Sequence, residues 1–261
     1  MKPQLIKTYF IVLTVLCVSI NAFAQKNIAI SDSLSANADM LKVKLGSSFF
    51  GKMQKFKFGD YAVVSGKVGW TRSSSSSNFL ETKTESKSSQ KFSFVLAGGG
   101  TDTAKVNAAK NIQLQQQNSL RIFNNFSWGD DETLRQSMNF SALISLNGDT
   151  SESWALVMKD ESGTKTQNKY DAFLTDGKRR IQIFMVTGEN KGNSMVPPAL
   201  GYELVENGRS YSAIQFYGGG FFPMNRNIIW LDKRLDPKFK LILSAAMVAI
   251  LELKFEEMVE R

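Results

Sequence analysis

The stretch Lys240-Leu-Ile-Leu-Ser-Ala-Ala-Met-Val-Ala-Ile-Leu-Glu-Leu-Lys-Phe255 limits this chain's folds more than any other. Asp236-Pro237 before it is a strong helix start: the Asp carboxylate accepts free backbone N–H groups, and Pro suits the first turn. A helix is predicted over about 237–255. From Leu241 to Leu251 every residue but Ser244 is apolar, so this helix has no polar face. Leu241, Ile242, Leu243, Met247, Val248, Ile250 and Leu251 are large. Burying each stabilises by roughly 1.5–3 kcal/mol, so exposing all seven would cost as much as a domain's net stability of about 5–15 kcal/mol. The run reaches only about 16 Å at 1.5 Å per residue, far short of a ~30 Å bilayer core. Lys238, Lys240, Glu252 and Lys254 bound it closely. Such a helix is enclosed by protein, and Ala245, Ala246 and Ala249 reduce its girth as a close-fitting shell requires.

The preceding sequence supplies strands for that shell. Phe56 and Phe58 alternate with Lys55 and Lys57, and Phe79 to Leu96 alternates polar residues before ending in an apolar run. Asn147-Gly148, Asp176-Gly177 and Asn207-Gly208 each divide two apolar runs. These dipeptides suit the positive dihedrals of type I′ turns, which predicts three hairpins in series, as in an up-and-down barrel. Thr71 to Asn78 reads as a solvated serine-rich loop by composition, and Thr101 to Asn118 as a short helix or ordered loop. Residues 25–46 are a polar segment, helical or a tether, and 47–261 form one domain. The expected fold class is mainly β: an antiparallel β-barrel of hairpins enclosing a hydrophobic C-terminal α-helix.

Leu231-Asp-Lys-Arg-Leu-Asp-Pro-Lys-Phe-Lys, running into the apolar helix after an Asn-Gly hairpin, resembles the tubby-like superfamily. That group includes the tubby proteins, the phospholipid scramblases and the LURP-one-related proteins. The resemblance covers Gly201 to Glu260 and implies a barrel threaded by its last helix. The serine-rich segment, the Thr101 to Asn118 insertion and the leader described next depart from that pattern.

Lys2 and Lys7, the mostly apolar run Tyr9 to Ile20, and Ala22-Phe23-Ala24 form a secretory signal peptide over 1–24, with cleavage before Gln25. Export to a periplasm or the extracellular space is expected. Cys17, the chain's single cysteine, leaves with the leader, and the sequence holds no histidine. A disulfide framework, a Cys/His zinc site and any His-dependent nucleophile are thereby excluded. No cofactor is called for. The formal charge of +8 falls to about +6 without Lys2 and Lys7. This suits an anionic membrane surface or envelope component; no nucleic-acid recognition motif is present.

Lys52, Lys55 and Lys57, with Lys42 and Lys44 upstream, form the densest basic cluster and are the candidate ligand-binding residues. The tubby resemblance implies contact with anionic headgroups there; lysines guarding an edge strand are the plainer account. Trp128-Gly-Asp-Asp-Glu132 gathers carboxylates without calcium-loop spacing, and a solvated turn opening a short helix at Glu132 to Arg135 is the plainer account. Gly218-Gly-Gly-Phe-Phe-Pro223 lacks the Lys of a P-loop. Asn125 and Asn139 begin Asn-Phe-Ser sequons. Three functions compete: a non-catalytic exported binding protein, a structural or assembly protein using strands such as Phe79 to Phe92, and a carboxylate-dependent glycosidase using Asp130 and Asp131.

Overall fold

The computed structural model of the chain describes residues 27–46, 53–77, 83–117, 120–123, 126–128, 132–149, 152–162, 169–188, 197–219 and 226–259. The expected leader and Lys52 lie outside these residues. So do Asp130, Asp131 and Gly220 to Pro223. A short helix α1 (Asp32–Asn37) precedes β1 (Ala38–Lys42), β2 (Lys44–Leu45), β3 (Phe56–Phe58), β4 (Tyr61–Val68), β5 (Arg72–Ser77), β6 (Lys83–Ala97) and β7 (Thr103–Gln117). A separate hairpin, β8 (Leu120–Phe123) and β9 (Phe126–Trp128), follows. Then come β10 (Glu132–Leu146), β11 (Ser153–Ser162), β12 (Lys169–Thr175), β13 (Arg180–Thr187), β14 (Leu200–Glu206), β15 (Arg209–Tyr217), β16 (Ile228–Asp232) and α2 (Pro237–Val259).

The wall is one antiparallel path, β1-β16-β15-β14-β13-β12-β11-β10-β7-β6-β4-β3-β2, with β5 paired to β6. It forms a nearly closed barrel. Closure falls to the run 38–45: its first half pairs with β16 and its second half with β3. At the junction the Val43 N–H donates to the Asn227 carbonyl at 2.9 Å. The polar segment expected as a short helix or tether therefore supplies α1 and then part of the wall.

All three predicted hairpins form, but with two kinds of turn. Asn147 (φ 51°) and Gly148 (φ 76°), like Asn207 (φ 50°) and Gly208 (φ 77°), both take the left-handed conformation that a type I′ turn needs. At Asp176 the side chain competes with that turn. Its carboxylate accepts N–H groups from Lys178 and Arg179 at 2.9 and 2.7 Å, so the loop is longer and only Gly177 (φ 90°) has a positive dihedral.

Three expectations are corrected. Arg72 to Ser77 is strand β5, not a solvated loop; backbone pairing with β6 holds it although serine has little β preference. Thr103 to Gln117 is strand β7, neither helix nor loop, and pairs along its whole length with β6 and β10. Glu132 to Arg135 opens strand β10 rather than a helix. Within Phe79 to Phe92, the described part belongs to β6 and is paired on both sides, and among the described residues β5 pairs only with β6.

Helix α2 fills the barrel. Every residue from Leu241 to Leu251 is buried, and Leu243, Ser244, Ala245, Ala246, Met247, Val248, Ala249 and Ile250 are 0% exposed. The inner faces around it are apolar at alternate positions: Phe92, Phe94 and Leu96 on β6, Ala104, Val106 and Ala108 on β7, Phe140, Ala142 and Ile144 on β10. The helix backbone approaches β7 and β10 most closely. Small residues stand on both sides of that approach, which is how a backbone comes near a sheet without a void.

The entry into α2 shows what the Leu231-Asp232 pair does. Asp232 ends β16 with its side chain fully buried, accepts from Arg234 at 2.7 Å and from Arg209 at 3.2 Å, and takes the Arg234 backbone N–H at 2.9 Å. These bonds, the Arg234 side chain first, hold its pKa well below the usual carboxylate range despite burial. Asp236 then caps the helix, accepting the N–H groups of Lys238 and Phe239 at 2.9 and 3.2 Å. The Phe239 ring meets Trp154 and Tyr211, and Arg179 lies 4.6 Å above it. Arg179 also holds Glu206 through two bonds of 3.0 and 2.7 Å.

A second apolar cluster lies outside the barrel, where Ile28 and Leu34 pack with Ala199, Ala213, Ile228 and Trp230. Gly201 on β14 sits where this layer and β15 converge. A Cβ there would fall 2.3 Å from the Ile214 carbonyl oxygen and 2.8 Å from Ile28. Gly201→Ala is therefore expected to cost about 1–3 kcal/mol, as overpacking does. Thermal unfolding would register this as a fall of several degrees in Tm; an unchanged Tm would contradict the packing described.

Candidate functional site

Two polar surfaces stand out on this scaffold. The first is the outer face of β1 to β4, β6 and β7. Because Phe56 and Phe58 point inward, Lys55 and Lys57 point out, and both are exposed. Lys57 pairs across β2–β3 with Lys44. Like charges directly opposite one another are unfavourable, so nothing in sheet stability explains that pairing. Lys42 shares their face. Further round the wall the same outward alternation exposes Lys67 on β4, Lys91 on β6 and Lys105 on β7.

Sequence reasoning found Lys55 and Lys57 and missed Lys67, Lys91 and Lys105, which strand pairing places on the same outward wall, further along and around it. Lys67 and Lys105 share a shallow groove of about 200 Å³ with Ser65 and Ser93. Trp70, 93% exposed, stands in the break between β4 and β5. There the Gly69 N–H donates to the Lys91 carbonyl at 2.7 Å. Val64, also on β4, is 57% exposed.

The second surface is a cup at the end of the barrel where α2 emerges. On three adjacent strands polar residues take inward positions beyond the apolar part of the helix: Lys110 between Ala108 and Ile112 on β7, Gln136 after Met138 on β10, and Asp160 and Ser162 after Met158 on β11. With Lys254 and Glu257 from the helix they enclose about 410 Å³. Lys110 is only 3% exposed. Lys254 donates to Glu257 at 2.9 Å, and its ammonium lies 5.8 and 5.6 Å from the ring centres of Tyr202 and Phe216. Tyr202 stacks on Tyr170 at 6.3 Å. Burial raises the pKa of both phenols, aided by each other's proximity for Tyr170 and by Glu257 for Tyr202.

Beside the cup, on another face of α2, Glu252 is 3% exposed. Burial and then the neighbouring Glu256 carboxylate push its pKa up to about 8, against a backbone hydrogen bond from Gln54. Among the described residues no three acidic, histidine or cysteine side chains group as a metal site would require. No described helix is long and apolar enough to cross a membrane. Of the Trp128 to Glu132 group, residues 129–131 lie outside the described residues, Trp128 ends β9 and Glu132 begins β10.

Fold and surfaces together define a barrel plugged by its own last helix, with a lysine-rich wall and a polar cup. No protein family model, curated protein or solved structure matches the chain.

Proposed function

We propose that this chain is an exported, non-catalytic binding protein that engages an anionic surface through the wall formed by β1 to β4, β6 and β7. One observation carries the proposal: Lys42, Lys44, Lys55, Lys57, Lys67, Lys91 and Lys105 share one outward wall. Among them stand the exposed Trp70 and Val64, amphipathic and apolar groups suited to a lipid interface. The tubby-like resemblance of the C-terminal segment supports the same partner class, anionic headgroups. The seven lysines attract anions additively, each worth about 1 kcal/mol near a charged membrane.

Sedimentation with vesicles containing phosphatidylglycerol tests this. The protein is expected to pellet with them at low salt and to be released at high salt. The quadruple variant Lys55→Glu/Lys57→Glu/Lys67→Glu/Lys105→Glu should bind at least about 100-fold more weakly. A parent chain that stays in the supernatant at low salt would remove the lipid version.

A structural role in the envelope is the second reading. It is favoured by the open backbone edge of β5, which among the described residues pairs only with β6; exposed edges accept further strands. Recovery of a stable partner by parent chain, and its loss on Ser75→Pro, would support that role.

A further inference from the structure

Strand β5 carries a backbone edge that adjoins the lysine wall. Strand β7 pairs with β6 along the whole of one side, from Lys83 to Ala97. On the other side β4 covers Phe92 to Ala97 and β5 covers Thr84 to Ser89. Strand β5 therefore lies beyond the end of β4 and extends the sheet past it. Among the described residues it pairs only with β6. Backbone N–H and C=O groups directed away from β6 form a template for another strand. Proteins keep such edges apart with lysine, proline, a bulge or an inward charge. From Ser73 to Ser77 there is none of these: all five residues are serine, and the register with β6 is unbroken. Arg72, at the start, is the one charge that β5 carries.

The strand that suits this edge is β5 itself. Two identical strands pair antiparallel about a two-fold axis normal to the sheet. That axis keeps like faces together, and opposed residues share a face, so a register centres on a residue. Centred on Ser74 or Ser75, it sets serine against serine along the seam. Arg72 then meets a serine or falls outside the pairing, and like charges are never opposed. The same axis fixes where the walls lie. Arg72 and Ser74 pair with Ser89 and Lys87 of β6, and so share the outer face with Lys91, two residues from Ser89. Two copies joined at β5 thus carry both lysine walls on one side of a continuous sheet.

We propose that a second copy of this chain pairs antiparallel along β5, joining the two sheets edge to edge. This rests on the open edge that favours the structural reading above, and names its occupant. A seam of six residues per copy is small beside a standard interface of roughly 1,600 Å², so the dimer is reversible. Sedimentation equilibrium of the full chain without lipid tests the proposal. The mass should rise from monomer to dimer with concentration and stop there, because a two-fold contact closes. Ser73→Lys/Ser75→Lys, at exposed positions, opposes lysines in either register and should weaken the dimer about tenfold. Ser73→Glu/Ser75→Glu should do the same alone. An equimolar mixture of the two variants should restore the dimer, which also shows that both fold. A parent chain that stays monomeric up to about 1 mM overturns the proposal, as does growth beyond the dimer. So do double-lysine chains that associate like the parent, or a mixture that stays monomeric. Self-association is read without lipid, so its failure leaves vesicle binding by the wall intact. A monomeric parent that captures a different chain, and loses it on Ser75→Pro, would keep the structural reading and remove this one.

Discussion

Ala246→Glu is expected to yield no folded protein. Ala246 is 0% exposed and sits midway along the part of α2 that the barrel surrounds. A glutamate there adds volume where none is free, at about 1–3 kcal/mol, and buries a charge whose desolvation costs several kcal/mol more. The sum approaches the whole net stability of a domain, about 5–15 kcal/mol. Ala246→Gly removes one methyl group and lowers helix propensity by about 1 kcal/mol, so it should fold and unfold cooperatively at a lower temperature. Far-UV circular dichroism and size-exclusion chromatography of the two variants side by side decide the matter. A soluble, cooperatively unfolding Glu variant would contradict the enclosed helix.

Glu252→Gln is expected to stabilise the protein in alkaline solution. In the folded chain the Glu252 carboxyl titrates at about 8; an unfolded glutamate titrates near 4.3. Its folded-state pKa is raised, so folding takes up a proton between those values. The contribution is fully present below about pH 4.3 and is lost as pH rises toward 8. Above pH 8 the parent must bury an ionised carboxylate, and Gln, of nearly the same shape, removes that cost. The gain over the parent should reach several kcal/mol at pH 9 and shrink toward zero near pH 4. Asp232 and Glu206 act in the opposite sense. Their pKa values are lowered mainly by bonds from Arg234 and Arg179, so their contributions are present at neutral pH and lost in acid. Urea unfolding of parent and variant across the pH range isolates the Glu252 part. Two curves that run parallel would remove it.

How much of this was legible in the sequence depended on side-chain size and turn chemistry. The apolar run from Leu241 to Leu251 admits few environments, so its enclosure followed from energy and length alone. Asn147-Gly148 and Asn207-Gly208 specified their turns because few other residues accept positive dihedrals. Strand β7 was hidden. Its inward row of Ala104, Val106, Ala108, Lys110, Ile112 and Leu114 does alternate, but alanines and glutamines weaken the contrast between faces. Strand β5 gave no signal, because its serines are placed by backbone pairing with β6 rather than by a buried face. The wall was half visible: Lys55 and Lys57 are close in sequence, whereas Lys67, Lys91 and Lys105 join them only through strand order. The cup was invisible for the same reason, although counting by twos from Val106 would have placed Lys110 inward.

Thiol labelling of the helix tests the central claim most directly. In a Cys17→Ser background, which leaves no other cysteine, Ala249→Cys places a thiol at a position 0% exposed and Trp70→Cys places one at a position 93% exposed. The cysteine at 70 should react with a maleimide at the rate of a free thiol. The cysteine at 249 should react only as fast as the whole protein unfolds, with a rate that rises with denaturant alongside loss of structure. Rapid labelling at 249 in native buffer would place that helix face in water and end the account of a barrel closed around its own last helix.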